Sequence, residues 1–145
     1  MIIKTLKYFL VVIPFILSSC SKGGDSTTTP KTPTTPVPTV EATVAFSINV
    51  DPGAGNILAV IGTSQAIIVK VSSAIPTAGV TIATTVTKDA DGTSVFTNST
   101  PSLTADNTIN ITGLTSGALC TVKVDVTSKS TATNTKSLSF KLAAK

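Results

Sequence analysis

The chain changes its pattern of apolar and polar residues twice. Residues 8–17 form a continuous apolar run, residues 26–41 are dominated by threonine and proline, and apolar residues alternate with polar ones from Ala42 onward. Alternation with a period of two places one set of side chains on a buried sheet face and the other in water. The pattern therefore predicts an apolar leader, an unstructured linker and an all-β domain.

Turn residues divide the alternating region into seven or eight short strands. The predicted core positions are Val44, Phe46, Ile48, Val50, Ile67, Val69, Val71, Val80, Ile82, Thr84, Val86, Ile109, Ile111, Cys120, Val122, Val124, Val126, Leu138, Phe140 and Leu142. The polar segment 98–106, which contains Pro101, is expected to be a loop. Short strands at spacings of roughly ten residues, with no helical period, predict an antiparallel β-sandwich over residues 42–145.

The apolar run near the N-terminus has the features of an export signal. Lys4 and Lys7 precede the run, and Ser18 and Ser19 end it. A membrane-spanning helix needs about 20 apolar residues, whereas the core of a signal peptide needs only about 7–15. Residues 1–19 are therefore predicted to be a signal peptide.

Leu17, Ser18, Ser19 and Cys20 stand as LSSC, which resembles the lipobox of bacterial lipoproteins. The resemblance implies that the Cys20 thiol receives a diacylglyceryl group, that the peptide is cut after Ser19, and that the new amine is acylated. Acyl chains such as palmitate contribute about 0.8 kcal/mol per buried methylene, so several of them make a stable anchor. An ordinary secretory signal, in which Cys20 has no role, is the alternative.

The residues after Cys20 bear on where such an anchor lies. Ser21 is not aspartate, which by resemblance to the sorting rule of enterobacterial lipoproteins implies the outer membrane. The segment SKGGD also resembles the start of Bacteroidota surface lipoproteins. We therefore expect an outer-membrane lipoprotein, with the cell surface as one of the two leaflets open to it.

Residues 20–41 are expected to be a disordered tether, because they hold too few apolar side chains to offset the entropy of ordering. The threonine and proline segment 26–41, extended at about 3.1 Å per residue, is expected to hold a domain roughly 50 Å from a membrane. Asp25, Ser26 and Thr27 resemble the acceptor for O-glycosylation in Bacteroidota, which makes Ser26 a candidate glycosylation site. A plain solvated linker is the alternative.

The segment GLTSGALCTVKVDV, which holds Leu114, Gly117 and Cys120, resembles the entry to strand F of fibronectin type III and related immunoglobulin-like domains. In that pattern a leucine and a glycine precede a tyrosine and alternating valines, and Cys120 stands at the position of the tyrosine. The resemblance implies an immunoglobulin-like sandwich. It implies nothing about partners.

Composition narrows the classes of partner. Loss of Lys4 and Lys7 with the signal lowers the formal charge from +4 to +2, the remaining lysines are scattered, and the chain contains no arginine. Nucleic-acid binding proteins need a basic stripe for phosphates and side chains such as arginine for bases. We therefore expect no nucleic-acid partner. With Cys20 lipidated, Cys120 has no disulfide partner in the chain and is expected to be a small buried hydrophobic residue.

The chain offers little for catalysis. It contains no histidine, the usual general base and the commonest transition-metal ligand. The carboxylates of the alternating region fall at turns or on an exposed strand face, without the paired arrangement that glycosidic acid–base chemistry uses. We expect neither an enzyme nor a bound cofactor.

Asp89 and Asp91 form the one arrangement that suggests a metal. They stand in DADG, residues 89–92, which is similar to the start of a calcium loop but lacks a third ligand and the terminal bidentate acid. A solvated hairpin turn is the favoured interpretation, since Asp91 and Gly92 supply turn geometry. Calcium is the alternative.

Together these features predict a lipid-anchored envelope protein whose β-sandwich acts as a non-catalytic binding, adhesion or spacer module, with a protein or polysaccharide as its ligand. The alternative is an accessory subunit of an outer-membrane polysaccharide-uptake system that binds sugar through strand edges and polar loops such as 98–107. The mature chain has no tryptophan or tyrosine to stack on sugars, and its aromatic residues are Phe46, Phe96 and Phe140.

Overall fold

Period-two alternation becomes eight β-strands in the computed structural model, which describes residues 40–145. In chain order the strands are β1 (Phe46–Ile48), β2 (Ile57–Val60), β3 (Gln65–Val71), β4 (Val80–Lys88), β5 (Ser94–Ser102), β6 (Asp106–Ile111), β7 (Leu119–Ser128) and β8 (Thr135–Ala144). Glycines at positive φ end several of the turns between them, such as Gly113 and Gly117 on the way into β7.

The strands form two sheets of unequal width. The smaller has three strands in the order β1-β3-β6, and the larger has five in the order β2-β8-β7-β4-β5. β7 lies between β4 and β8, as strand F lies between strands C and G in immunoglobulin-like domains. The predicted all-β sandwich is therefore confirmed.

The core lies between the sheets and is built from the alternating rows. Along β7, Cys120, Val122, Val124 and Val126 are buried, and the residues between them are exposed or half-buried. The other predicted core positions are likewise buried, except Phe46, Val50 and Leu138, which are partly buried and pack against the core. β-Branched side chains suit this pleated surface because they pack well against their cross-strand neighbours.

Strand β5 is longer than the alternation indicated. The predicted loop over 98–106 is wrong for its first half, because Asn98 to Ser102 continue the strand and pair with β4. β5 lies at the edge of the larger sheet and none of its residues is fully buried, so no apolar row marks it in the sequence. Pro101 is tolerated there because an edge strand has backbone groups that need no partner in the sheet.

The pairing of β2 makes the larger sheet mixed. After β1 the chain turns through Gly53 and Gly55, at φ 81° and 80°, and joins the edge of the other sheet. β2 then runs parallel to β8, from Ile57 opposite Lys141 to Val60 opposite Ala144. The other strand pairs are antiparallel, as predicted.

The side chain of Asn134, in the turn between β7 and β8, forms hydrogen bonds with the first residues of the domain. Its Oδ1 accepts a hydrogen bond from the backbone N–H of Val44 at 2.8 Å, and its Nδ2 donates to Glu41 Oε1 at 2.6 Å and to the carbonyl of Ala42 at 2.9 Å. Hydrogen bonds from Ser128, Asn134 and Thr131 hold the pKa of the Glu41 carboxyl below its ordinary value. One side chain thus joins residues 41–44 to the far end of the chain.

The central rows should dominate the stability of the sandwich. Ile67 is 0% exposed, so Ile67→Ala should lower the free energy of unfolding by about 2–5 kcal/mol through lost burial and the cavity left behind. Ile61 is 92% exposed and supplies the matched control. Ile61→Ala should change the free energy of unfolding by less than about 0.5 kcal/mol. Urea unfolding measures both, and equal effects would contradict the described packing.

Candidate functional site

The DADG turn connects β4 to β5, as predicted for a hairpin. The backbone closes it with hydrogen bonds from Lys88 N to Thr93 O and from Gly92 N to Lys88 O, each 2.9 Å, and Gly92 takes a φ of 70°. Thr93 N also donates to Asp91 Oδ1 at 2.9 Å. This contact lowers the pKa of Asp91 because it stabilises the charged carboxylate.

Asp89 is held by two strands of the larger sheet. Its Oδ2 lies 2.6 Å from Lys141 Nζ on β8, and its Oδ1 accepts a hydrogen bond from Thr121 Oγ1 on β7 at 2.6 Å. Lys141 Nζ also donates to Thr121 Oγ1 at 2.7 Å, which closes a triangle of contacts. Hydrogen bonds from Lys141 and Thr121 lower the pKa of the Asp89 carboxyl.

These contacts bear on the calcium alternative for Asp89 and Asp91. A cation bound between the two carboxylates would compete with the Lys141 ammonium and the Thr93 N–H. Within the part of the chain that the structure describes, no group of three His, Cys, Asp or Glu residues is placed to hold a metal. The contacts therefore agree with the hairpin interpretation, and calcium stays an untested alternative.

A polar cleft lies where the two sheets differ in width. It has a volume of about 480 Å³ and runs between β5, at the edge of the larger sheet, and β6, at the edge of the smaller. Its principal lining residues are Phe96, Asn98 and Thr100 from β5 and Asp106, Thr108 and Asn110 from β6. Asn107 and Ile109 line it as well, so the cleft runs along the free edge of β6 and takes in part of the polar segment 98–107 of the sugar-binding alternative.

Strand register explains why β5 lines this cleft. Phe96, Asn98 and Thr100 stand opposite Val86, Thr84 and Ile82 of β4, all three of which are buried. Residues directly opposite each other in an antiparallel pair share a face, so these β5 side chains point toward the smaller sheet. That sheet ends at β6, so the inner face of β5 is only partly covered.

Hydrogen bonds fix part of the cleft and leave the rest open. The Asn107 side chain donates to the carbonyls of Thr104 and Ala105 at 3.0 and 3.2 Å, which holds the turn before β6. Asn98 Oδ1 accepts from Thr100 Oγ1 at 2.8 Å, and the Asn98 NH2 group is left to donate elsewhere. On β6, the exposed residues Asp106, Thr108 and Asn110 alternate with the buried isoleucines, so their side chains lie on the outer face of the smaller sheet.

Asp106 is the only acid that lines the cleft. Within residues 40–145 the ion pairs are Lys123–Asp125 and Lys141–Asp89, so the Asp106 carboxylate has no cationic partner there. The cleft is lined by no lysine. Its electrostatic character is therefore that of neutral amides and hydroxyls beside one negative charge.

Of the other cysteine and glycosylation candidates, the structure describes only Cys120. Cys20 and Ser26 lie outside the described residues, so lipidation and glycosylation stay predictions. Cys120 is a free thiol, 1% exposed, which confirms its place as a small hydrophobic residue in the core. Burial raises the pKa of the Cys120 thiol and so disfavours the reactive thiolate.

Sequence reasoning missed Phe96 as a contributor to the cleft. No motif marks this residue, because its position there depends on the register of β5 and on the missing cover beyond β6. The polar character of 98–107 was the one available signal.

Comparison with known proteins assigns no family to the chain. No protein-family model matches the sequence, and no curated protein matches it significantly. No helix within residues 40–145 is long and apolar enough to cross a membrane.

The contacts of Asp89 predict a pH-dependent contribution to stability. A carboxyl whose pKa is lower in the folded state contributes stability above its unfolded pKa and loses it as the pH falls through the folded pKa. Asp89→Asn should therefore be less stable than the wild type at pH 7, and the difference should shrink as the pH falls below about 4.

Urea unfolding from pH 7 to pH 2 measures this difference. Lys141→Met should behave as Asp89→Asn does, because it removes the same ion pair. Lys129→Met, in the exposed turn after β7, is the matched control and should follow the wild type. A constant gap between Asp89→Asn and the wild type at all pH values would contradict the proposed linkage.

Substitution of Thr84, which stands on β4 opposite Asn98, is expected to stabilise the fold. Its side chain is 0% exposed and its hydroxyl has no hydrogen-bond partner within the described residues. An unpaired buried hydroxyl is unfavourable, so Thr84→Val, which keeps the shape, should raise the free energy of unfolding by about 1 kcal/mol.

Thermal and urea unfolding would measure the effect of Thr84→Val. Thr85→Val, one residue along on the outer face of the same strand, is the control and should change stability by less than about 0.5 kcal/mol. A loss of stability on Thr84→Val would show that the hydroxyl has a partner, such as a buried water.

Proposed function

We propose that this chain is a lipid-anchored protein of the bacterial cell envelope, and that its β-sandwich serves there as a non-catalytic binding, adhesion or spacer module. The observation that carries the proposal is the order of features along the chain: an export signal ending in LSSC, a threonine and proline segment, and a sandwich domain. In this proposal Cys20 is the lipidated residue, and the lipid anchors the protein in the outer membrane.

The arrangement of polar residues supports a non-catalytic role. The chain has no histidine, and the carboxylates with defined partners serve structure: Asp89 joins β7 and β8, and Asp91 closes a turn. The only acid in the polar cleft, Asp106, has no second carboxylate beside it in the lining. Retaining or inverting glycosidases use a pair of acids.

A second candidate function is that of an accessory glycan-binding subunit in an outer-membrane polysaccharide-uptake system. The observation that favours it is the cleft between β5 and β6, in which Asn98 and Thr100 stand beside the half-buried Phe96 and next to the free edge of β6. Small-molecule sites are typically clefts of about 300–1,000 Å³ with a few converging polar groups. This cleft falls within that range.

Lipidation is tested by metabolic labelling of the full chain with an alkyne fatty acid in a Gram-negative bacterium. The wild type should carry the label and fractionate with membranes, and Cys20→Ala should lose both properties. Cys120→Ala is the matched control, because it removes the other cysteine and should leave the label unchanged. An unlabelled wild type, or equal labelling of wild type and Cys20→Ala, would overturn the proposal.

A further inference from the structure

We propose that β2 is the surface through which two copies of this chain pair, edge to edge and antiparallel, so that their two larger sheets become one continuous sheet. The inference goes beyond the proposed function and does not depend on the lipid anchor. Three features of β2 carry it: an apolar outer face, backbone groups that point away from the sheet, and an edge without the usual protection against pairing.

β2 is apolar on both of its faces. Leu58 and Val60 pack toward the core, and Ile57, Ala59 and Ile61 alternate with them and form an exposed outer row. Within this row Ile57 is 52% exposed and Ile61, directly after the strand, is 92% exposed. A continuous apolar run is typical of a strand with neighbours all around it. The outer row therefore lacks contacts that another strand would supply.

The backbone of the outer row faces the free edge of the larger sheet. The Lys145 N–H donates to the carbonyl of Val60 at 2.8 Å, and the Gly62 N–H donates to the carbonyl of Lys145 at 3.3 Å. Val60 and Gly62 thus turn their backbone groups toward β8. Because this direction alternates along a strand, the outer row turns its N–H and C=O groups the other way. Within residues 40–145 no strand pairs with that side of β2.

The other free edges of the two sheets carry features that oppose pairing. β1 has only three residues, β5 contains Pro101, and β6 begins at the charged Asp106. Short edges, prolines and charges are the common means by which proteins prevent edge-to-edge association. Residues 53–65, which include β2, contain no proline and no charged residue. Among the edges that the structure describes, β2 is thus the one most open to another strand.

An antiparallel register centred on Ala59 matches the outer row to itself. It places Ala59 opposite its own copy and Ile57 opposite Ile61 of the second copy, so both isoleucines gain a cross-strand partner. The same surface is used on both copies, so a two-fold axis relates them and the assembly closes at two. No like charges meet, because residues 53–65 are uncharged.

The size of this edge makes the dimer weak. Five residues per copy bury far less than the roughly 800 Å² per partner of a stable interface. The expected Kd is roughly 0.1–1 mM. At about 5 μM protein the chain is then monomeric, so the pairing does not enter the urea unfolding of Ile61→Ala. On a membrane, anchored chains are confined together, which raises their effective concentration and favours pairing between neighbours.

The threonine and proline segment 26–41 of the same chain is the other candidate for this edge. Proline has no N–H to donate and is poorly suited to a sheet ladder. A second copy of β2 instead offers a complete row of donors and acceptors together with matching apolar side chains. A second copy therefore fits the edge better than the segment does.

Sedimentation velocity of the full mature chain tests the pairing, with Cys20→Ala as the parent so that no lipid contributes. The dimer fraction of the parent should rise between about 5 μM and 1 mM. Adding Ile61→Lys should raise the Kd at least about tenfold, because it places a charge in both cross-strand pairs. Leu103→Lys is the matched control: Leu103 is 70% exposed, lies in the turn after β5, and should leave the Kd unchanged.

Cysteine cross-linking tests the register separately. Oxidation with copper–phenanthroline should link Ala59→Cys into a disulfide dimer, because the two copies of this position meet at the two-fold axis. Ser99→Cys is the matched control, since Ser99 is exposed on β5 at the opposite edge of the same sheet, and it should stay mainly monomeric. Cys120 is buried and is present in both variants.

The outcomes separate the parts of the proposal. A parent chain that stays monomeric at the highest concentration overturns the pairing and leaves the fatty-acid labelling result untouched. A dimer that Ile61→Lys does not weaken overturns the placement at β2, and equal cross-linking of Ala59→Cys and Ser99→Cys overturns the register. Protection of Ala59→Cys from a small thiol reagent in the monomer overturns the choice of a second copy. Far-UV circular dichroism of each variant excludes loss of fold as the cause.

Discussion

The sandwich depends on the burial of one face of each sheet against the other. The rows on β3, β4 and β7 supply its centre, where Ile67, Val69, Val122 and Val124 are fully buried. This burial fixes the register of every neighbouring strand, because a slip of one residue would turn a whole apolar row toward water. The two sheets are not equally wide, however, so the same requirement cannot be met at the edge where β5 extends beyond β6.

The cleft follows from that inequality. A five-stranded sheet opposite a three-stranded one leaves part of its inner face without cover, and the sequence places Asn98 and Thr100 there in place of aliphatic residues. Polar side chains at this position avoid an exposed apolar patch, which would favour association with other chains. They also leave donors and acceptors facing a space large enough for a ligand.

The sequence predicted the parts of the fold that one buried face determines. β3 and β7 could be read from their valines and isoleucines, because alternate residues there meet the core. The second half of β5, Asn98 to Ser102, could not, because an edge strand with no fully buried residue has no apolar row. The parallel pairing of β2 with β8, and the contact of Asp89 with Lys141, join positions far apart in the chain and depend on the order of strands in the sheet. Spacing along the sequence does not encode that order.

The hydrogen bonds of Asn134 have a mechanical consequence. In a tethered domain, a pull arriving from the N-terminal side reaches residues 41–44 first, where one amide from the turn between β7 and β8 holds three backbone and side-chain groups. Tension is thereby shared with the two longest strands before β1 is loaded. These hydrogen bonds of Asn134 would have to break before the fold opens from its N-terminal side, so their strength would set the smallest force that starts unfolding.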